Sequence, residues 1–173
     1  QTCALPILPQ AREMAQRGEL AFGTVDSWLI YQLSAHTRHV TDVSNASRTL
    51  LFDIHRNRWD EELLAMFDIP ASVLPEVLPS CADFGHTHPD VLGHAIAIGG
   101  VAGDQQSALL GQACLQPGMA KNTYGTGCFM LMHTGAQCHT SHNGLISTSA
   151  AQLGAQAQFA LEGSVFIGGA VVQ

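Results

Sequence analysis

Gly100 to Leu109, GVAGDQQSAL, sets one carboxylate between an apolar run and a helix-forming run. Residues Ala95 to Ala102, AIAIGGVA, are uncharged and either small or β-branched, which is the composition of a buried strand. Gly103 breaks that run. Asp104 then falls where a helix cap or first-turn residue belongs, and Gln105, Gln106, Ser107, Ala108, Leu109 and Leu110 continue as a helix. In an open α/β sheet the carboxyl end of a strand is where ligands meet the protein. A carboxylate held ionised there by the positive end of a helix can accept a hydroxyl proton. The same pattern also suits an aspartate that only caps its helix.

A second constellation lies at Lys121 to Met132, KNTYGTGCFMLM, which reads as two apolar strands folded at Gly125-Thr126-Gly127. A hydroxyl flanked by two glycines lets backbone amides and a side-chain donor approach a phosphate together without Cβ clashes. Taken alone, the segment reads as an ordinary hairpin turn.

In this order and separated by a few residues, GVAGDQQSALLGQ and GMAKNTYGTGCFML closely resemble the glycerol kinases of the FGGY carbohydrate kinase family. The likeness continues through GELAFGTVDSWLIYQL (Gly18 to Leu33), the stretch His39 to Pro70, LPEVLPS (Leu74 to Ser80) and FALEGSVFIGGAVVQ (Phe159 to Gln173). It covers nearly everything from about Gln10 onward. The resemblance implies an α/β chain that is part of a two-domain actin-like, ribonuclease H-like ATPase fold, with a cleft between the domains. It implies that residues 8–116 are the C-terminal part of the N-terminal domain and residues 117–173 the beginning of the C-terminal domain.

The resemblance also assigns roles. Asp104 matches the general base that deprotonates the acceptor hydroxyl, Gln105 matches a polyol-binding glutamine, and Phe129 matches the aromatic that packs on the carbon backbone of glycerol. Thr126, with the neighbouring Gly127, matches the contact to the nucleotide phosphates, and Gly169 and Gln173 match positions lining the nucleotide site. The implied reaction is ATP-dependent phosphorylation of glycerol to sn-glycerol 3-phosphate in a cytoplasmic, homo-oligomeric parent enzyme, with magnesium bridging the nucleotide oxygens. Another polyol or pentulose kinase of the family is the alternative, as is a truncated product without activity. The family's phosphate loop, its arginine, glutamate and tyrosine that grip glycerol, and its adenine pocket have no counterpart in these residues, so the chain by itself is expected to be inactive. At Gly93-His94-Ala95, regulated bacterial relatives carry a glycine-rich loop with an arginine for a sugar bisphosphate, and Ala95 offers no charge there.

The first residues stand apart. QTCALPI, Gln1 to Ile7, has no counterpart in the family and is similar to the in-frame translation of a common sequencing adapter, so residues 1–7 are expected to be non-native and are set aside from fold reasoning. They lack the basic start and the long apolar run of a signal peptide.

Composition agrees with a piece of a larger body. Charged residues are 12% of the 173 and apolar residues 46%, against about 25% charged in ordinary soluble domains. Such a chain has few charges with which to clothe a surface, and made alone it is expected to aggregate. A formal charge of −7 argues against a nucleic-acid partner, because a phosphate-tracking surface needs a basic footprint. No stretch approaches the ~20 apolar residues of a membrane-spanning helix. The five cysteines, Cys3, Cys81, Cys114, Cys128 and Cys138, have no paired spacing and read as reduced thiols. His86 with His88, and Cys138 and His139 with His142, lack the second pair that zinc spacing requires, so no metal site is expected from the chain's own side chains.

The remaining pattern predicts a helix over Val25 to Leu33 capped by Thr24, with Trp28 and Leu29 facing the core. It predicts a turn at Ser44, Asn45 and Ser47, a strand at Thr49 to Ile54, and a helix capped by Asp60 that runs to Phe67. After a turn at Pro117-Gly118, antiparallel strands are expected at Met119 to Tyr124, Cys128 to His133, Gly144 to Ser149 and Ala155 to Leu161, followed by an apolar helix from Ser164.

Overall fold

Short helices open the chain, each with an acidic residue in its first turn, Glu13 and Asp26. The computed structural model describes residues 10–171. Helix α1 spans Ala11–Gln16 and α2 spans Val25–Leu33, with Thr24 at the N-cap and Asp26 in its first turn. The Asp26 carboxylate accepts hydrogen bonds from the Thr24 hydroxyl and, at 2.7 Å, from the Thr41 hydroxyl, which ties α2 to strand β1, Val40–Asp42. Strand β1 runs straight into α3, Val43–Ala46, where a turn was expected at Ser44, Asn45 and Ser47. The expected strand Thr49 to Ile54 contracts to β2, Phe52–Asp53, paired antiparallel with β3, Arg58–Trp59. Leu50 has a positive φ of 62° and cannot continue an extended strand. Helix α4, Glu61–Met66, begins as predicted: the Asp60 carboxylate accepts from the amides of Glu62 and Leu63 at 2.9 and 3.0 Å. Strand β4, Glu76–Leu78, then pairs parallel with β1, and a short helix α5, Pro89–Leu92, follows.

Two expectations in this half are corrected. Trp28 and Leu29 do not face the core: they are exposed, together with Val25, because α2 buries Ser27 and Ile30 toward β1 and Phe84. Ala95 to Ala102 is not a buried strand but an extended, largely exposed segment. It bonds on one side only, through Phe84, Gly85, Thr87 and Ser80, and among the described residues nothing pairs with its other edge. A central parallel strand needs partners on both sides to be buried.

Helix α6, Asp104–Gly111, crosses to a four-stranded antiparallel sheet. Its strands are β5, Ala120–Tyr124, β6, Cys128–Gly135, β7, Ile146–Ser149, and β8, Phe159–Val165, in the order β5-β6-β8-β7. All four were anticipated. The apolar helix expected from Ser164 is not formed, however, since Ser164 and Val165 pair with Phe129 and Cys128 as the end of β8 and only a 3-10 turn, Gly169–Val171, follows. Phe166 and Ile167 are left exposed between them. Leu109 of α6 seats the helix on the sheet against Leu131, Ala150 and Ala160, all buried. Burying the two leucines stabilises the junction by about 1.5–3 kcal/mol each.

Candidate functional site

Asp104 is held by its own helix and left open toward solvent. Gly103 is the N-cap, in extended conformation, and Asp104 is the first helical residue. One carboxylate oxygen accepts the Gln105 amide at 2.8 Å and the other accepts the Gln105 side-chain NH2 at 3.2 Å. Asp104 is exposed, so both oxygens keep acceptor capacity.

The start of α6 is fixed from behind. The Gly103 amide donates to the Ser44 hydroxyl at 2.8 Å, and that hydroxyl donates to the buried Asp42 carboxylate at 2.7 Å. A Cβ on Gly103 would stand 2.7 Å from the Gln106 side-chain oxygen. A larger residue before Asp104 would have to displace the Gln106 side-chain amide. Gln106 itself is buried and donates to the Ser149 carbonyl at 3.2 Å, fixing α6 to the strand β7 side of the sheet.

Strand β5 brings the decisive partner, which the sequence reading passed over. The Lys121 ammonium is buried and donates to the Gln105 side-chain oxygen, to the Thr123 hydroxyl at 2.8 Å and to the Phe129 carbonyl at 3.2 Å. Burial pushes this ammonium below the usual lysine range, and the charges of Asp104 and Glu162 work against that shift. Gln105 and the Phe129 carbonyl thus meet at one lysine, and Asp104 is linked to it through the Gln105 side chain. A signal for it was present: Lys121 is the one lysine of the sequence and stands within an apolar strand pair.

The glycine turn forms the other half of the site. Gly125, Thr126 and Gly127 link β5 to β6, and the Gly125 amide donates to the Gly127 carbonyl at 2.9 Å. Gly168 and Gly169 back this turn, donating to the Thr126 and Gly125 carbonyls at 2.7 and 2.8 Å. A Cβ on Gly169 would lie 2.7 Å from the Gly125 carbonyl oxygen, and one on Gly127 would lie 3.2 Å from the Phe129 ring. Thr126 is exposed at the tip, and its hydroxyl and amide have no acceptor among the described residues. The structure therefore brings Thr126, Gly127 and Gly169 together with the Phe129 ring beside them. Gln173 lies outside the described residues. At about 3.3 Å per strand residue, Gly125 is roughly 13 Å from Lys121 along β5.

An ion pair between an exposed arginine and a buried glutamate ties the sheet to the preceding half of the chain. Glu162 of β8 accepts both ends of the Arg48 guanidinium, at 2.7 and 3.1 Å, joining the segment after α3 to the sheet.

The mixed helix-and-sheet frame is that of the sugar kinases of the actin-like, ribonuclease H-like class. Residues 7–111 match the N-terminal domain of the FGGY family of carbohydrate kinases, and the chain belongs to that family. It is 69% identical over 166 residues to a glycerol kinase of Polaromonas sp. strain JS666, covering 96% of this chain and 33% of that protein. It is 71% identical over 163 residues to a glycerol kinase of Delftia acidovorans, covering 94% and 33%. The crystal structure of Plasmodium falciparum glycerol kinase with ADP superposes with a TM-score of 0.91 at 40% identity, covering 98% of this chain and 34% of that one. The chain thus spans about a third of the length of the curated relatives it matches.

Proposed function

We propose that the whole protein is an ATP-dependent glycerol kinase and that this chain carries its acceptor base and part of its phosphate site. The observation that carries this reading is the exposed Asp104 carboxylate at the start of α6, with spare lone pairs beside the Gln105 amide. Phosphoryl transfer asks a protein chiefly for positioning and for stabilisation of developing charge. Asp104 takes the hydroxyl proton as that oxygen attacks phosphorus, Gln105 orients the polyol, and the half-buried Phe129 ring supports its carbon chain.

Thr126, Gly127 and Gly169 are proposed to hold nucleotide phosphates, supported by the side-chain-free backing of the turn and by the unspent Thr126 hydroxyl and amide. Gln173 joins them on family resemblance. Bound ATP with magnesium supplies the transferred phosphoryl group and neutralises its charge. Among the described residues no group of three or more His, Cys, Asp or Glu converges on a metal position.

Residues 8–116 are read as the end of the N-terminal domain and 117–173 as the start of the C-terminal one, supported by the Pro117-Gly118 turn just before β5. A cytoplasmic, homo-oligomeric enzyme completes the reading. The cytoplasmic part is supported by free thiols at Cys81, Cys114, Cys128 and Cys138, and the homo-oligomeric part rests on family resemblance. The chain alone is expected to be inactive and to self-associate through exposed apolar side chains such as Trp28, Phe166 and Ile167.

The test is turnover by the complete protein with a panel of polyols and pentuloses. Glycerol-dependent ADP release well above that with any pentulose supports the reading. Preference for a pentulose places the protein elsewhere in the family.

A further inference from the structure

We propose that Lys121 is a positioning residue for the acceptor site, locking the Gln105 amide in the one orientation that turns its NH2 group toward Asp104. This rests on the reading of Asp104 as the acceptor base. An ammonium only donates hydrogen bonds and an ionised carboxylate only accepts them, whereas a glutamine amide does both. Between Lys121 and Asp104 the amide can satisfy both neighbours in one way: oxygen to the lysine, nitrogen to the carboxylate. That is the arrangement observed. Flipped, it would set NH2 against ammonium and oxygen against carboxylate.

The lysine is itself immobilised. All three of its protons have acceptors, and at 6% exposure its stem has no room to swing. Two of those acceptors, the Thr123 hydroxyl and the Phe129 carbonyl, belong to paired residues of β5 and β6, so the rigid ladder sets the ammonium position. Burying a lysine is costly, and among the described residues this one forms no ion pair closer than 4 Å in return. A fold gains little from such a group, whereas a site that needs a fixed donor beside Gln105 gains orientation.

The test is a double-variant cycle in the complete kinase, using Lys121→Met, Gln105→Ala and the pair, with glycerol and nucleotide kinetics measured separately. Lys121→Met is expected to lower kcat/KM for glycerol by about 10²-fold, the scale of a misplaced reacting group, with nucleotide KM unchanged. The double variant is expected to be no slower than Gln105→Ala alone, because the lysine acts through the glutamine. Additive losses overturn the proposal, as does an unimpaired Lys121→Met beside an inactive Asp104→Asn. Full turnover by Asp104→Asn overturns the reading beneath it and the proposal together. If Lys121→Met does not accumulate as folded protein, Lys121→Gln enters the same cycle with the same expectations.

Discussion

Two aspartates of this chain each stand where a helix begins, and they have opposite surroundings. Asp42 ends β1 and caps α3, is fully buried, and accepts five hydrogen bonds: from the Ser44 amide and hydroxyl, the Asn45 amide and side chain, and the Ser80 hydroxyl. Asp104 opens α6, is exposed, and accepts two, both from Gln105. A saturated carboxylate is structural, since every lone pair is committed and a proton would cost several bonds. A carboxylate with open lone pairs at a solvent-facing helix start can take a proton from a ligand. The two are coupled, because Ser44 passes the position of Asp42 to Gly103 and so to the start of α6.

The comparison is broken most directly by Asp104→Asn in the complete enzyme. Turnover is expected to fall about 10²–10⁴-fold, the usual share of a general base, with nucleotide affinity retained. Near-normal steady-state turnover would return Asp104 to the scaffold class of Asp42. The converse substitution, Asp42→Ala, strips the cap from α3 and leaves buried donors unpaired. A loss of about 3 kcal/mol or more is expected. Thermal or denaturant unfolding would read it, and a silent Asp42→Ala would remove the contrast.

Thr126→Ala sharpens the comparison from the nucleotide side. Losing one hydrogen bond to a charged group costs about 1.5–3 kcal/mol, and the loss is expected in kcat while the glycerol KM holds. A rise in glycerol KM alone would move Thr126 to the polyol.

His133 supplies the smallest effect and a third kind of environment. It is buried, its Nδ1 has no partner, and burial pushes its pKa below 6.5. Above 6.5 the ring is neutral in both folded and unfolded chains. As pH falls below that value the unfolded histidine takes up a proton before the folded one does, so stability drops until the folded pKa is passed. His133→Phe is expected to flatten this acid-side slope by about 1 kcal/mol or less. Melting temperatures at pH 5.5 and 7.5 check it, and an unchanged slope would show that other groups set it.

Much of the site was legible because its signals are local. A glycine followed by an aspartate announces a helix start, and Gly125-Thr126-Gly127 between apolar runs announces a turn; both are there, although the run before Gly103 is not the expected strand. The antiparallel strands were readable from alternation and turn residues for the same reason. The errors came where burial depends on neighbours distant in sequence. Ala95 to Ala102 has the composition of a central strand but pairs along one edge, and Trp28 and Leu29 have core composition but nothing described covers them. At Ser164 and Val165 an apolar run was read as helix, and pairing with β6 won over propensity.

By itself the sequence determined the places where the backbone must turn or start a helix, and it put an acidic group and a hydroxyl at two of them, since those requirements lie within a few residues. Only the tertiary structure decided which polar groups are spent and which are free. Lys121 meets Gln105 across 16 residues and Arg48 meets Glu162 across 114, and no local pattern encodes such meetings. Hydrogen-bond capacity is consumed by whatever the folded chain brings near, so Asp42 and Asp104, each at the start of a helix, become a saturated brace and an open carboxylate.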